Sequence, residues 1–332
     1  MKQINSLEII DRSDLAPHAE RLNGKTRELL KSARSESTRR VYRVQWTNFE
    51  KYCEQSGQTS LPATVGTVAD FIGFMVESGY KASTIGQSLS AIGLAHRLAG
   101  HTDITKTELV KQTAKGARND LGVAPHKKTA ITLDILSAMA EDIDRTTLQG
   151  KRDTALLLLG FSGAFRRSEL VALDVEDLER TLTPSGRPGY LVTVRKSKTD
   201  QEGEGMIKGI YPSKSPLLDP VKALNEWISA SGITSGAIFR RVRKGDKLTD
   251  ERLTGKAVAL VVKGRAKKAG ISLDLSAHSL RSGFITSALE KDAPERQVMN
   301  QTGHKSTTVM RSYNQRKNAM SDNAMAILAE YM

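Results

Sequence analysis

The stretch QTGHKSTTVMRSYNQRKNAM, residues 301–320, decides which fold this chain needs. In it Tyr313 follows His304 by nine residues, among hydroxyl and basic side chains, in a chain with seven tyrosines in 332 residues. A phenol is a poor nucleophile at neutral pH unless neighbouring charge favours the phenolate. If Tyr313 attacks a phosphate, the fold must bring fixed positive charge to it, because the transition state spreads negative charge over the phosphate oxygens.

Arginine suits that task, because its guanidinium binds phosphate through two nitrogens and stays protonated. The motif GAFRRSEL places Arg166 one helical turn before Glu169, which could orient a positive partner, and this spacing favours Arg166 over its neighbour Arg167. The motif AHSLRSG places His278 and Arg281 at positions i and i+3 of a helix start, on one face. These two motifs are therefore the predicted phosphate-binding elements.

Three further groups leave alternatives open. RKSKTD places Lys198 at the predicted tip of a β-sheet, where its ammonium could reach a leaving oxygen, but Lys196 points to the same side of the strand. Tyr331 is a rival nucleophile, although its place on the apolar face of the last helix favours packing. The acidic run LDVEDLER, with Asp174, Glu176 and Asp177, could belong to a metal-dependent nuclease or could simply be solvated. We expect no metal and no other cofactor.

Composition limits the class of protein. The net charge of +13 attracts polyanions, and the basic residues recur in separate elements, which favours nucleic acid as the partner. The N-terminus has no apolar signal-peptide core, and no run of about 18 apolar residues predicts a membrane helix. The single cysteine, Cys53, cannot form an internal disulfide and fits a reducing cytoplasm.

Periodicity predicts a mainly α fold with one small antiparallel sheet. Residues 1–25 look like a loosely held arm, and residues 26–120 predict a helical bundle in which Trp46 and Cys53 belong to one apolar stripe. In that bundle Thr105 and Glu108 have the spacing of a capping box.

Residues 121–130 have no hydrophobic period and predict a basic linker, either along a phosphate backbone or as a solvated loop. Residues 131–332 then predict a second, mostly helical domain with a three-stranded sheet between residues 179 and 212. In this domain LDPVKALNEWISASG, residues 218–232, predicts a helix with an Asp219 N-cap and Pro220 in its first turn, and LTDERLTGKAVALVVKGRAKKAG, residues 248–270, predicts one helix. The last segment, 320–332, predicts an amphipathic helix that packs on a neighbouring protomer or on its own domain.

The ordered set of arginine, lysine, His-x-x-Arg, histidine and tyrosine resembles the tyrosine recombinase (phage integrase) family. The likeness extends to the N-terminal bundle, so the chain resembles a Cre-like, two-domain member of the family. Such a member has a helical core-binding domain followed by a tyrosine-recombinase-like catalytic domain. The catalytic positions of the family correspond here to Arg166, Lys198, His278, Arg281, His304 and Tyr313, with Glu169 in a supporting place.

The resemblance implies a role for each position. Arg166 and Arg281 would bind the nonbridging oxygens of the scissile phosphate, and Lys198 would protonate the departing 5′ oxygen. His278 would assist proton transfer, and His304 would donate a hydrogen bond to the phosphate. Tyr313 would form the 3′-phosphotyrosyl bond.

The resemblance also implies DNA contacts and an assembly. Residues that could meet phosphates or base edges in the major groove are Arg39, Arg40, Lys81, Thr84 and Gln87, although the helix start at Lys81 also fits an ordinary capped helix. The expected partner is double-stranded DNA with an inverted-repeat site, bound by a homotetramer in synapsis. We expect a cytoplasmic, nucleoid-associated site-specific recombinase; the alternatives are topoisomerase IB-like DNA relaxation and a DNA-binding protein with a decayed site.

Overall fold

The computed structural model describes residues 23–122, 128–195 and 205–304, together with the single residues 306, 325 and 329. The chain divides into two compact units, Met1–His126 and Lys127–Met332, called here the N-terminal and C-terminal units. The fold is mainly helical, as the sequence predicts, and it has two small antiparallel sheets where the sequence predicts one. Among the described residues, none of the helices has the length and apolar character needed to cross a membrane.

The described part of the N-terminal unit is a bundle of five α-helices. They are α1 (Gly24–Ser32), α2 (Glu36–Gln55), α3 (Val65–Glu77), α4 (Ala82–Leu98) and α5 (Glu108–Leu121). The predicted apolar stripe of α2 is confirmed, because Trp46, Phe49 and Cys53 are all buried in the bundle core. Hydroxyl side chains cap α2 and α3, since Ser35 accepts from the Thr38 amide and Thr64 accepts from the Thr67 amide.

The predicted capping box at α5 is wrong. Thr105 lies in a 3₁₀ helix, Ile104–Lys106, and its hydroxyl donates to Asp103 Oδ1 at 2.5 Å. The N-cap position of α5 belongs to Thr107. The Thr105 hydroxyl therefore bonds to Asp103 and does not cap α5.

The described part of the C-terminal unit surrounds one buried helix. Its helices are α6 (Leu133–Glu141), α7 (Leu148–Ser162), α8 (Arg167–Ala172), α9 (Pro220–Ser231), α10 (Gly255–Lys268), α11 (His278–Glu290) and α12 (Glu295–Thr302). Helix α7 is almost wholly buried, as the run TALLLLGF requires, and packs against α9 and α11. Helix α9 begins at the predicted Asp219 cap with Pro220 in its first turn, and its C-cap is the left-handed Gly232.

The predicted three-stranded sheet is present in the order β1 (Leu178–Leu182), β2 (Pro188–Val194) and β3 (Met206–Ile210). Both pairings are antiparallel, and Tyr190 on the central strand lies opposite Ile210. The buried face of β2 carries Tyr190, Val192 and Val194. Strand β3 turns Lys208 and Ile210 inward.

The prediction of one helix over residues 248–270 is wrong in its first part. Strands β4 (Arg240–Arg243) and β5 (Lys247–Arg252) form a hairpin, and the helix begins only at Gly255. The turn uses Gly245 and Asp246, both with positive φ (78° and 54°). Tight turns of this kind need residues that tolerate the left-handed region, so the Gly-Asp pair was the overlooked signal.

Candidate active site

The first element of the site is the turn that follows α7. Glu169, 3% exposed, accepts from the Arg166 amide at 2.9 Å and from Arg166 Nη1 at 2.5 Å. The predicted pairing is therefore present, whereas Arg167 is exposed. Both carboxylate oxygens are used, so Glu169 fixes the backbone and the guanidinium of Arg166 together.

The same turn is strained. Ala164, fully buried, has a φ of 45°, in the left-handed region that residues with a Cβ seldom adopt. Before it, a Cβ placed on Gly163 would meet the Phe165 ring at 2.0 Å. The surrounding packing therefore dictates this backbone, and it aims the Ala164 carbonyl at the second arginine.

That second arginine, Arg281, lies on α11, which begins at His278 as predicted. The Arg281 side chain is fully buried; Nη1 donates to the Ala164 carbonyl at 2.8 Å, and Nη2 lies 3.2 Å from His304 Nε2. Arg281 thus joins the Arg166 turn to the segment that follows α12.

His304 follows α12, whose C-cap is the left-handed Gly303 (φ 72°). A guanidinium can only donate, so His304 Nε2 accepts from Arg281 while Nδ1 carries the proton and donates to Thr302 Oγ1 at 2.8 Å. Burial, then the charges of Arg281 and Arg166, lower the pKa of His304 to about 4. The ring is therefore neutral, and it must leave Arg281 before it can present an N–H to a phosphate as the sequence predicts.

His278 stands at the exposed start of α11, where protein atoms nonetheless desolvate its ring. The loss of hydration lowers the pKa of His278, and the positive charges of Arg281 and then Arg166 lower it further. The same ring contributes to the lowered pKa of His304. A neutral His278 can accept a proton, which is the state that its predicted role in proton transfer requires.

Sequence reasoning missed one cation of the site. Lys208, 1% exposed on β3, lies within electrostatic reach of Glu169, Arg281 and Arg166. The strand pattern contained a signal, because Met206, Lys208 and Ile210 share one face of β3 and Ile210 is a core residue. A lysine at an inward position of a strand is rare enough to mark a site.

Lys198 and Tyr313, together with the alternatives Lys196 and Tyr331, lie outside the described residues. The segment that contains Lys198 joins Val194, the last residue of β2, to Met206, the first of β3. The roles of these residues therefore stay predictions. The described site consists of Arg166, Glu169, Lys208, His278, Arg281 and His304.

The acidic run near α8 has another use. Asp174 binds Arg195 and Arg252, each at 2.5 Å, Asp177 binds Arg195 at 2.9 Å, and Glu176 accepts from the Gly236 amide. Within residues 23–122, 128–195 and 205–304 there is no group of three or more His, Cys, Asp or Glu placed to hold a metal ion. Guanidinium and amide partners account for these carboxylates.

In the N-terminal unit, the predicted DNA-contacting residues lie at the beginnings of α2 and α4. Arg40, Lys81 and Gln87 are exposed, while Arg39 and Thr84 are half-buried. Lys81 occupies the N-cap position of α4 without a side-chain cap bond, so its ammonium is not used by that helix end. These positions leave polar groups available to a ligand.

The chemistry of the C-terminal site follows from its charges. The site contains three cations, Arg166, Lys208 and Arg281, and one carboxylate, Glu169, which leaves a net positive charge with the lysine protonated. Fixed guanidinium groups in a desolvated setting stabilise a phosphate and its transition state without reorganising. The arrangement can therefore hold a phosphodiester.

Two family models match this chain. Residues 131–320 match "Phage integrase family", and residues 26–99 match "Phage integrase, N-terminal SAM-like domain". The chain is 35% identical over 310 residues to an integrase/recombinase XerD homolog of Selenomonas ruminantium, covering 92% of this chain and 89% of that one.

Solved structures share the fold. The XerH site-specific recombinase in a post-cleavage complex with its difH substrate has a TM-score of 0.64 at 16% identity, over 98% of this chain and 96% of that one. A lambda integrase tetramer bound to a Holliday junction has a TM-score of 0.59 at 17% identity, over 84% and 72% of the two chains.

Proposed function

The chain belongs to the phage integrase family of tyrosine recombinases, and from that premise we propose that it cuts and rejoins DNA at a specific site through a phosphotyrosine at Tyr313. One observation carries the proposal: Arg281 bonds both to the turn that presents Arg166 and to His304. Three residues far apart in sequence, in the order that the family uses, thus form one connected cationic group. An ion pair that only stabilises a fold needs two residues, and it does not require this ordered set of motifs to meet at one place.

The proposed reaction is an exchange of phosphodiesters. The Tyr313 oxygen attacks phosphorus and loses its proton, with His278 as the group that accepts or relays it. The bond from phosphorus to the 5′ oxygen breaks, and Lys198 donates the proton that makes this leaving group a hydroxyl. A 5′ hydroxyl then reverses the step on the phosphotyrosine and releases the tyrosine.

The described residues would stabilise charge in both directions. Arg166, oriented by Glu169, and Arg281 would bind the nonbridging oxygens, and His304 would move from Arg281 to the phosphate. Because the phosphotyrosine keeps the energy of the phosphodiester bond, the exchange needs no nucleotide cofactor.

We further propose the division of labour along the chain. Residues 1–25 would form an arm, 26–120 the core DNA-binding domain, 121–130 the linker and 131–332 the catalytic domain. Two protomers would bind an inverted repeat and two such sites would meet in a tetramer, in the cytoplasm and at the nucleoid. The related lambda integrase tetramer on a Holliday junction supports this assembly.

The last segment, 320–332, would pack on a neighbouring protomer. Its apolar residues include Ile327 and Leu328. The C-terminal unit has an apolar groove between α6, α7 and α11, lined by residues that include Leu133, Phe161 and Phe284. A groove of this composition suits an amphipathic helix.

The decisive experiment is a covalent trap. Full-length protein is incubated with a randomised duplex library that carries a single nick, so that a cleaved strand end diffuses away and the adduct persists. We expect wild-type protein to retain a defined duplex through denaturation, and Tyr313→Phe to bind that duplex but retain none. An adduct in Tyr313→Phe, or none with wild type, would contradict the proposal, and strand exchange between two recovered sites separates recombination from relaxation.

A further inference from the structure

Lys208 is the one lysine that is buried among the described residues, at 1% exposure. Removing an ammonium from water costs several kcal/mol unless other groups replace its hydration. A methionine or leucine would fill the same inward position of β3 without that cost. The lysine therefore needs an explanation beyond packing.

Its surroundings provide three partners. Lys208 Nζ donates to the Gly163 carbonyl at 2.7 Å and to the Gln301 carbonyl at 2.8 Å, and it lies 4.8 Å from the centre of the Phe165 ring. An ammonium has three N–H donors, and the two carbonyl oxygens and the Phe165 ring face give each donor one partner. A neutral amine would leave a lone pair towards the ring, so the site is built for the charged form.

The two carbonyls belong to the two segments that carry the site. Gly163 lies three residues before Arg166, and Gln301 lies three residues before His304. The Gln301 side chain joins the same segments again, because its Nε2 donates to the Ser162 carbonyl at 2.9 Å and to the Gly209 carbonyl at 3.0 Å. The end of α7, strand β3 and the end of α12 are thus connected at one point.

Building on the function proposed above, we propose that Lys208 is a positioning residue of the phosphate site. Its ammonium ties the Gly163 and Gln301 carbonyls together, and through them it sets the separation of Arg166, Arg281 and His304. It also adds a buried positive charge to those of Arg166 and Arg281, without touching DNA.

The charged groups around Lys208 make this device sensitive to pH. Burial lowers the pKa of Lys208 to about 7; Glu169 favours the ammonium, whereas Arg281 and Arg166 oppose it. His304 faces the same group, and the positive charge of Lys208 helps to lower the pKa of that ring. A bound phosphodiester adds a negative charge, which shifts Lys208 towards the ammonium.

The direction of the pH effect on cleavage follows from the protonated form of Lys208 being the active one. Below its pKa Lys208 is charged and the site is held; as the pH rises through that pKa, the positioning bonds weaken and cleavage slows. The ionisation of Tyr313 changes the rate in the opposite direction. The informative quantity is therefore the ratio of the wild-type rate to the rate of Lys208→Arg, because arginine keeps its charge and tyrosine ionisation cancels.

The test uses the full chain and the duplex recovered by the covalent trap. Single-turnover cleavage is measured between about pH 6 and pH 9 for wild type, Lys208→Arg and Lys208→Met. The matched control is Lys222→Met, because Lys222 is an exposed lysine of the same unit, 3.8 Å from Glu226. We expect Lys208→Met to cleave at least about tenfold more slowly at neutral pH, with the duplex affinity changed less than about threefold. The ratio of wild type to Lys208→Arg should fall as the pH rises, and Lys222→Met should follow wild type.

Two results would overturn the proposal: a folded Lys208→Met that cleaves at the wild-type rate, or a wild-type to Lys208→Arg ratio that does not change with pH. A lysine that only supported the fold would alter thermal stability and leave that ratio flat. If Lys208→Met fails to fold, the arginine comparison decides.

A readout without DNA separates this proposal from the proposed function. In ¹³C-labelled free protein, one lysine side-chain resonance that is missing from Lys208→Arg should titrate near pH 7. Such a titration without any covalent adduct in the wild type would refute the recombinase and keep the buried cation. If the wild type forms the adduct but its Lys208 resonance titrates like that of an exposed lysine, the recombinase proposal stands and the proposal for Lys208 is refuted.

Discussion

Each unit contains a histidine whose two ring nitrogens both have hydrogen-bond partners, and the partners of the two rings differ. In the N-terminal unit His96 is fully buried, accepts from the Ala63 amide at 3.0 Å and lies 2.9 Å from the Ile92 carbonyl. In the C-terminal unit His304 lies between Arg281 and Thr302. A ring bonded only to backbone supports a fold, whereas a ring bonded to a buried cation can be released by an anion.

The contrast extends to other polar groups. In the N-terminal unit the Ser88 hydroxyl donates to Gln45 at 2.7 Å inside the core, and Arg40 and Lys81 at the starts of α2 and α4 are exposed. In the C-terminal unit the buried charges of Glu169, Lys208 and Arg281 are placed around the turn after α7. The first unit is thus arranged to present a surface and the second to hold a single group.

Arg281→Ala should produce the largest effect and should be confined to the C-terminal unit. Removing one preorganised donor from a charge-stabilising site lowers the rate by about 10²–10³-fold. Single-turnover cleavage of the trapped duplex measures it, with Arg281→Lys as the variant that keeps a charge but loses the paired nitrogens. Near-normal cleavage by both variants would remove Arg281 from the site.

Glu169→Gln tests whether a carboxylate is needed to hold Arg166. The amide keeps the size but loses one charge-assisted bond, which costs roughly 1.5–3 kcal/mol in the stability of this unit. We expect slower cleavage together with a lower melting temperature, and almost no change in affinity for the duplex. Unchanged stability would show that Arg166 is positioned by other groups.

The pH dependence of the N-terminal unit tests the structural histidine. Burial, the largest cause, lowers the pKa of His96; the charge of His101 lowers it further, while the Ile92 carbonyl and Asp103 oppose the shift. The unfolded chain therefore binds the proton more tightly, so stability is full above the ordinary pKa of about 6.5 and falls by up to about 1.4 kcal/mol per pH unit below it.

Tryptophan fluorescence can isolate that unit, because the two tryptophans of the chain lie one in each unit, at Trp46 and Trp227. Denaturation of Trp227→Phe then follows Trp46, whose ring lies 6.4 Å from His96. In that background His96→Gln should flatten the acid limb, while His101→Gln, at an exposed position, should keep it. A limb that survives in His96→Gln would locate the titrating group elsewhere.

The smallest expected effects belong to the surface of the N-terminal unit. Lys81→Ala should weaken binding to every duplex alike and reduce the salt slope by about one, as the loss of one phosphate contact does. Gln87→Ala should instead cost about 1–3 kcal/mol on the trapped duplex only. Equal losses on all sequences would make Gln87 a phosphate contact.

The features that could be predicted from the sequence are local, and those that could not be predicted join distant parts of the chain. The apolar stripe of α2, the Asp219 cap, the pairing of Arg166 with Glu169 and the start of α11 at His278 could all be predicted, because each depends on residues within a turn or two of one another. The hairpin of β4 and β5 was missed, because its strands are stabilised by each other rather than by a local period. The contacts of His304 with Arg281 could not be predicted, since they join residues 23 positions apart.

The sequence by itself indicated Arg166, Glu169, His278, Arg281 and His304 as candidate site residues, because the order of these motifs is a property of the chain, but it did not indicate Lys208. Only the tertiary structure decided how the members are held. It buried Arg281 completely, made His304 an acceptor, and bonded Lys208 to the Gly163 and Gln301 carbonyls. The physical reason is that charge burial and hydrogen-bond partners depend on distances between elements, and no local pattern encodes those distances.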